Sequence, residues 1–132
     1  MWYHARMTDK EFERLVEEGI DALPPWVHTK LENLAFIVAD EPDMRQRKEN
    51  ELQEGETLFG LYEGVPLSER GVQGTEMPDR ITIFKKPILE TYDKEDEIRS
   101  CVKNTIWHEV AHYFGHTEEW VEEEERKRGK LL

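Results

Sequence analysis

The residues with the clearest chemical potential lie near the C-terminal end of the chain, where the sequence reads His108-Glu109-Val110-Ala111-His112. Residues four positions apart lie on the same face of a helix, so the two imidazoles can hold one metal ion. Glu109 follows the first histidine directly and can act as a general base on a water molecule that the metal activates. This pattern predicts metal-dependent hydrolysis, with Zn²⁺ as the metal that this ligand set favours.

An ordinary surface helix can carry two histidines and a glutamate by chance, so the flanking residues matter. Apolar residues surround the motif at helical spacing, as expected for a helix that is partly buried. Gly115 follows the second histidine by three positions, where a left-handed glycine would end the helix. Glu118 follows by six, and a chain that turns back at the glycine can offer a third metal ligand.

The third ligand has three candidates. Glu118 is favoured, because it fits the turn at Gly115 and carboxylates complete many catalytic zinc sites. His116 is the alternative, but three residues spaced by four on a straight helix span about 12 Å. Zinc–ligand bonds of about 2 Å cannot bridge that span, so His116 would bind only if the helix broke at Gly115. Glu119 is the weakest candidate.

The motif and several upstream segments together resemble the small bacterial zincin-like metallopeptidase family, also called minimal zincins. The resemblance implies a compact zincin fold with a short mixed sheet, a zinc cofactor and a peptide or protein substrate. The family usually has Asp where this chain has Glu118, a chemically mild departure. Apart from the motif, the segments that carry the resemblance are Phe12 to Leu23 with Pro24-Pro25, Phe36 to Val38 with Asp40-Glu41-Pro42, Leu58 to Leu67, and Pro78 to Ile81.

The helices and strands that must position the motif indicate one α+β domain over residues 1–132, with residues 1–7 as a loose extension. Thr8-x-x-Glu11 is a capping box that opens the first helix. Alternating or continuous apolar runs predict three strands and, with the resemblance, a short three-stranded mixed sheet. The predicted strands are Leu34 to Ala39, Thr57 to Tyr62 and Arg80 to Phe84, and the motif helix is predicted from about Lys94 to Phe114 with Asp93 as its N-cap.

In zincins, one strand lies along the groove of the active-site helix and has an open edge to which an extended peptide can pair. The second or the third predicted strand must take this role here. Gly60 lies inside the second strand and predicts either a bulge or a close approach of two backbones. Three residues are unranked candidates to stabilise an oxyanion, namely Tyr62, Tyr113 and His116.

Composition excludes several functions and locations. The chain carries a net charge of −12, which argues against binding to nucleic acid or to an anionic membrane surface. No apolar run is long enough to span a membrane, and the N-terminus lacks the apolar core of a signal peptide. Cys101 is the only cysteine, which excludes an internal disulfide and favours a cytoplasmic location. Its place on the apolar face of the motif helix predicts a buried structural thiol.

The sequence thus favours a zinc-dependent metalloprotease in which His108 and His112 bind the metal, Glu118 completes the protein ligands and Glu109 is the general base. A rival hypothesis is a peptide-binding module that retains zinc with little or no turnover. A third is a metal hydrolase that acts on a non-peptide amide. Nickel or cobalt could replace zinc in the same ligand set.

Overall fold

A computed structural model describes residues 7–31, 34–64, 79–115, 123–124 and 126–127 of the chain. Helices and strands alternate irregularly within these residues, which confirms the predicted α+β class. The elements in chain order are α1 Asp9–Asp21, α2 Pro25–His28, β1 Leu34–Ala39, α3 Met44–Glu49, β2 Gly60–Glu63, β3 Asp79–Phe84, α4 Lys85–Thr91 and α5 Glu95–Tyr113.

The three strands form one mixed sheet, as predicted, and their order in the sheet is β1-β3-β2. β1 runs parallel to β3, with Leu34 opposite Asp79, and β2 runs antiparallel to β3, with Gly60 opposite Ile83. β3 is buried along nearly its whole length, because both of its neighbours and the helices cover it. Within the described residues, β2 pairs with β3 alone and forms one edge of the sheet beside α5.

β1 has the predicted bounds, whereas β2 begins at Gly60 and not at Thr57. The reason is the length of its partner. The N–H of Phe84 donates a hydrogen bond of 2.8 Å to the carbonyl of Phe59, and this is the last backbone hydrogen bond between β3 and β2. Because α4 begins at Lys85, residues 57 and 58 have no strand opposite them to extend the ladder.

α1 begins with the predicted capping box. The Thr8 side chain accepts a hydrogen bond from the N–H of Glu11, and the Glu11 side chain accepts one from the N–H of Thr8. The apolar stripe of α1 packs against α5 and contributes to the core. The buried members of that stripe are Phe12, Leu15 and Val16. The core therefore forms between these two helices and the covered face of the sheet.

α5 begins at Glu95, and the predicted N-cap at Asp93 is wrong. Lys94 occupies the N-cap position and makes no side-chain capping hydrogen bond. The first turn instead carries three acidic residues, whose negative charge is favourable at the positive end of the helix dipole. None of the helices in the described part of the chain combines the length and apolar character needed to cross a membrane.

Candidate active site

α5 carries the His108-Glu109-x-x-His112 motif and is fixed in place by its apolar residues. Its buried positions recur at helical spacing and face α1, α4 and the sheet. They include Ile98, Val102, Ile106 and Val110, each at most 3% exposed. His108 and His112 lie on a less buried part of the helix surface and are half-buried. The core therefore fixes the rotation of the helix and, with it, the direction of both imidazoles.

The two imidazoles converge. Nε2 of His108 lies 3.3 Å from Nε2 of His112, and the ring centroids are 4.9 Å apart. Two nitrogen atoms that bind one tetrahedral zinc ion at about 2.0–2.1 Å lie about 3.3–3.4 Å from each other. The observed separation matches that value, so the residues present fit a zinc ion in the position between the two rings.

Glu109 lies beside this pair and faces β2. Its side chain is largely buried, with the residue 9% exposed, and its Oε1 accepts a hydrogen bond of 2.8 Å from the backbone N–H of Tyr62. Because Phe59 pairs with Phe84 across the sheet, the N–H of Tyr62 points away from β3 towards α5. The edge strand thus fixes the position of the Glu109 carboxylate.

Gly60 allows this close packing of strand and helix, and the predicted close approach is confirmed. A Cβ atom at position 60 would lie 2.5 Å from Cγ2 of Thr105 and 3.2 Å from the carbonyl oxygen of Thr82. It would also lie 3.4 Å from Cγ of Glu109. Any larger residue would therefore push β2 away from α5, and the hydrogen bond between Tyr62 and Glu109 depends on their contact.

The side chain of Tyr62 has a separate role. Its hydroxyl donates a hydrogen bond of 2.7 Å to Oδ2 of Asp79, which is 3% exposed at the start of β3. Its ring packs edge-on against the ring of Tyr113, with centroids 5.9 Å apart, and Tyr113 is fully buried. The two tyrosines suggested as oxyanion donors thus lie in a packed cluster that connects β2, β3 and α5.

A third set of contacts holds the C-terminal end of β2 in place. Glu63 accepts a hydrogen bond from Gln46 at 3.0 Å and forms ion pairs with Arg45 at 2.9 Å and Arg80 at 3.3 Å. Burial alone would raise the pKa of Glu63, but the hydrogen bonds and charges of these partners outweigh it and lower the pKa below its usual range. α3 therefore helps to hold the edge strand against the sheet.

Gly115 ends the helix as predicted. Its φ of 89° is in the left-handed region that glycine adopts without strain, and its N–H donates to the carbonyl of His112 at 2.8 Å. The three candidate third ligands, His116, Glu118 and Glu119, lie outside the described residues. Within residues 7–31, 34–64 and 79–115, no group of three His, Cys, Asp or Glu side chains could hold a metal ion.

Cys101 is buried, as predicted, and lies two turns before His108. Its Sγ is 3.9 Å from Oγ1 of Thr105, and burial raises the pKa of the thiol to about 11. The thiol is therefore neutral near pH 7. No sequence pattern predicted the roles of two other contributors to the site. The backbone N–H of Tyr62 has no side-chain signature, and Asp79 meets Tyr62 only because β2 and β3 are neighbours.

Comparisons with known proteins give the family and the fold of the chain. No curated protein matches the chain. One similar solved structure is a conserved hypothetical protein from Thermus thermophilus, with a TM-score of 0.55 and 23% identity over 80% of this chain and 92% of that one. That likeness supports the fold alone. The family described as zincin-like metallopeptidase matches residues 31–128, which include all three strands and the whole of α5. The chain belongs to the zincin-like metallopeptidase family.

Proposed function

We propose that this protein is a zinc-dependent peptidase whose metal is held by His108 and His112, with Glu118 as the third protein ligand. The observation that carries the proposal is the convergence of the two imidazoles to 3.3 Å, a separation that fits one tetrahedral zinc ion. A zinc ion held by these residues would supply Lewis-acid chemistry, which polarises a carbonyl group and lowers the pKa of a water molecule.

Glu109 supplies the proton transfers. Its position beside His108 suits a general base that takes a proton from the attacking water and later gives it to the leaving amine. The hydrogen bond from Tyr62 to Oε1 orients the carboxylate and limits its movement. Burial beside the sheet also removes much of the competing bulk water. These features support a base that is positioned before the substrate arrives.

β2 supplies a surface for the substrate. Gly60 and Tyr62 have their backbone groups on the edge of the sheet that faces away from β3. An extended peptide could pair with this edge and place one of its carbonyl groups beside the two histidines. The N–H of Tyr62 is already used by Glu109, so we expect the peptide to pair with the remaining backbone groups of Gly60 and Tyr62.

The test is the metal content per chain, measured together with cleavage of a peptide library on the same samples. We expect one zinc per wild-type chain, with both metal and cleavage lost in His112→Ala and weakened in Glu118→Ala. His28→Ala is a matched control, because His28 is an exposed histidine on α2 and should keep both properties. Wild-type protein that takes up no metal under any supply would contradict the proposal. If metal is lost in His116→Ala but not in Glu118→Ala, the third ligand is His116.

A further inference from the structure

A cavity of about 340 Å³ opens directly beside the candidate catalytic residues. Its lining includes His108 and Glu109 on α5 and Gly60 on β2, so it is continuous with the site described above. The other described residues that line it are Leu58, Phe59, Tyr92, Cys101, Asn104 and Thr105. This volume is at the lower end of the range for ligand pockets and is large enough for one side chain.

Residues of α5 form one side of the cavity. Cys101, Thr105 and His108 are spaced by four and three positions, so they lie along one face of α5. Cys101 is 8% exposed and Thr105 is 9% exposed, so both are nearly buried where they line the cavity. The face of α5 that carries His108 therefore lines the cavity over two helical turns.

The walls are aromatic and the lining is nearly uncharged. Phe59 and Tyr92 are half-buried and contact each other, with ring centroids 6.2 Å apart. Among the described lining residues other than His108 and Glu109, none has an ionised side chain at neutral pH. A charged side chain in the part of this cavity away from the candidate metal site would lose water without gaining a partner, whereas an apolar side chain would gain contacts with both rings.

We propose that this cavity is the specificity pocket of the enzyme and that it receives an uncharged apolar side chain of the substrate, such as leucine, methionine or phenylalanine, next to the cleaved bond. The proposal rests on the proposed peptidase function, because only a peptide placed at His108 and Glu109 brings a side chain here. Cys101 and Thr105 set the depth of the pocket, and Phe59 sets its width.

The first test compares two phenylalanines. Phe59 and Phe36 are both partly buried and both pack against the core, but only Phe59 lines the cavity. Phe59→Leu widens the pocket, so the cleavage ratio of phenylalanine-containing to leucine-containing peptides should rise about tenfold. Phe36→Leu is the matched control and should leave this ratio unchanged. An unchanged ratio in Phe59→Leu, in a protein that cleaves peptides, would overturn the proposal.

The second test needs no turnover. Cys101 is the only cysteine of the chain and lines the cavity, so its reaction with methyl methanethiosulfonate at pH 9 reports whether the cavity is filled. N-acetylphenylalaninamide, at about four times its dissociation constant, should slow this reaction about fivefold. N-acetylglutamic acid amide, which carries a charge, should not slow it.

The two tests separate the pocket from the peptidase activity. Protection of Cys101 without cleavage of any peptide would support the pocket and count against the proposed function. Cleavage without protection of Cys101, and with an unchanged ratio in Phe59→Leu, would retain the peptidase and overturn the pocket. A chain that shows neither protection nor cleavage would overturn both.

Discussion

The backbone N–H of Tyr62 donates a hydrogen bond of 2.8 Å to Oε1 of Glu109, although the two residues are 47 positions apart in the chain. This bond connects the edge of the sheet to the helix that carries both candidate metal ligands. It fixes the residue that the proposed mechanism uses as its base. The consequences for activity and stability can be measured residue by residue.

Glu109→Gln should abolish peptide hydrolysis while the metal stays bound. Glutamine keeps a side-chain oxygen that can accept the hydrogen bond from Tyr62, but it cannot take a proton from water. We expect kcat/KM to fall by a factor of at least about 10²–10⁴, the usual contribution of a general base. Metal analysis and a thermal melt of the same sample should match the wild type. Full activity in this variant would remove Glu109 from the mechanism.

Tyr62→Phe should reduce stability much more than activity. The substitution removes the hydrogen bond to the buried carboxylate of Asp79 but keeps the backbone N–H that holds Glu109. A hydrogen bond to a charged group contributes about 1.5–3 kcal/mol to the free energy of unfolding. Urea denaturation should show a loss of that order. If kcat/KM instead fell by about 10² or more at unchanged stability, the hydroxyl would act on the oxyanion.

Gly60→Ala should separate β2 from α5. The new Cβ would lie 2.5 Å from Cγ2 of Thr105, and overpacking of this kind typically costs about 1–3 kcal/mol. Thr105→Ser removes the clashing methyl group and keeps the hydroxyl. The double variant should therefore lose less stability than the sum of the two single variants, as a double-mutant cycle measures. Strictly additive losses would show that the contact does not limit the approach of strand and helix.

Removal of the metal should leave the protein folded. α5 is held by a core of apolar residues, with Val102 and Ile106 completely buried, so we expect this packing to hold the helix in place without the metal. After chelation we expect a helical circular dichroism spectrum with a lower melting temperature, because a ligand that binds only the folded state stabilises it by mass action. Global unfolding on chelation would favour the rival hypothesis of a structural zinc site in a peptide-binding module.

The stability of the protein should fall as the pH rises from about 9 to about 11, because of Cys101. Burial raises the pKa of this thiol from 9.0 to about 11, so in this window the unfolded chain loses its thiol proton while the folded chain keeps it. The unfolded state is then favoured by roughly 1–2 kcal/mol. The difference in unfolding free energy between wild type and Cys101→Ala isolates this effect from other groups that titrate in the same range. A pH-independent difference would contradict it.

Local sequence patterns correctly predicted the elements whose structure depends on residues close together in the chain. The capping box of Thr8 and Glu11, the strand from Leu34 to Ala39 and the left-handed Gly115 all have the predicted positions, because each depends on neighbours in the chain. The side-by-side placement of His108 and His112 likewise follows from helical periodicity alone.

Contacts between groups from distant segments depend on how the sheet and the helices pack. The start of β2 depends on where its partner β3 ends, and no pattern around Thr57 carries that information. The same is true of the Tyr62 N–H that holds Glu109, because a backbone amide has no sequence signature until strand pairing sets its direction. Sequence thus determined the chemical groups of the site, whereas packing of the sheet edge on α5 determined what holds the base and what shapes the cavity beside it.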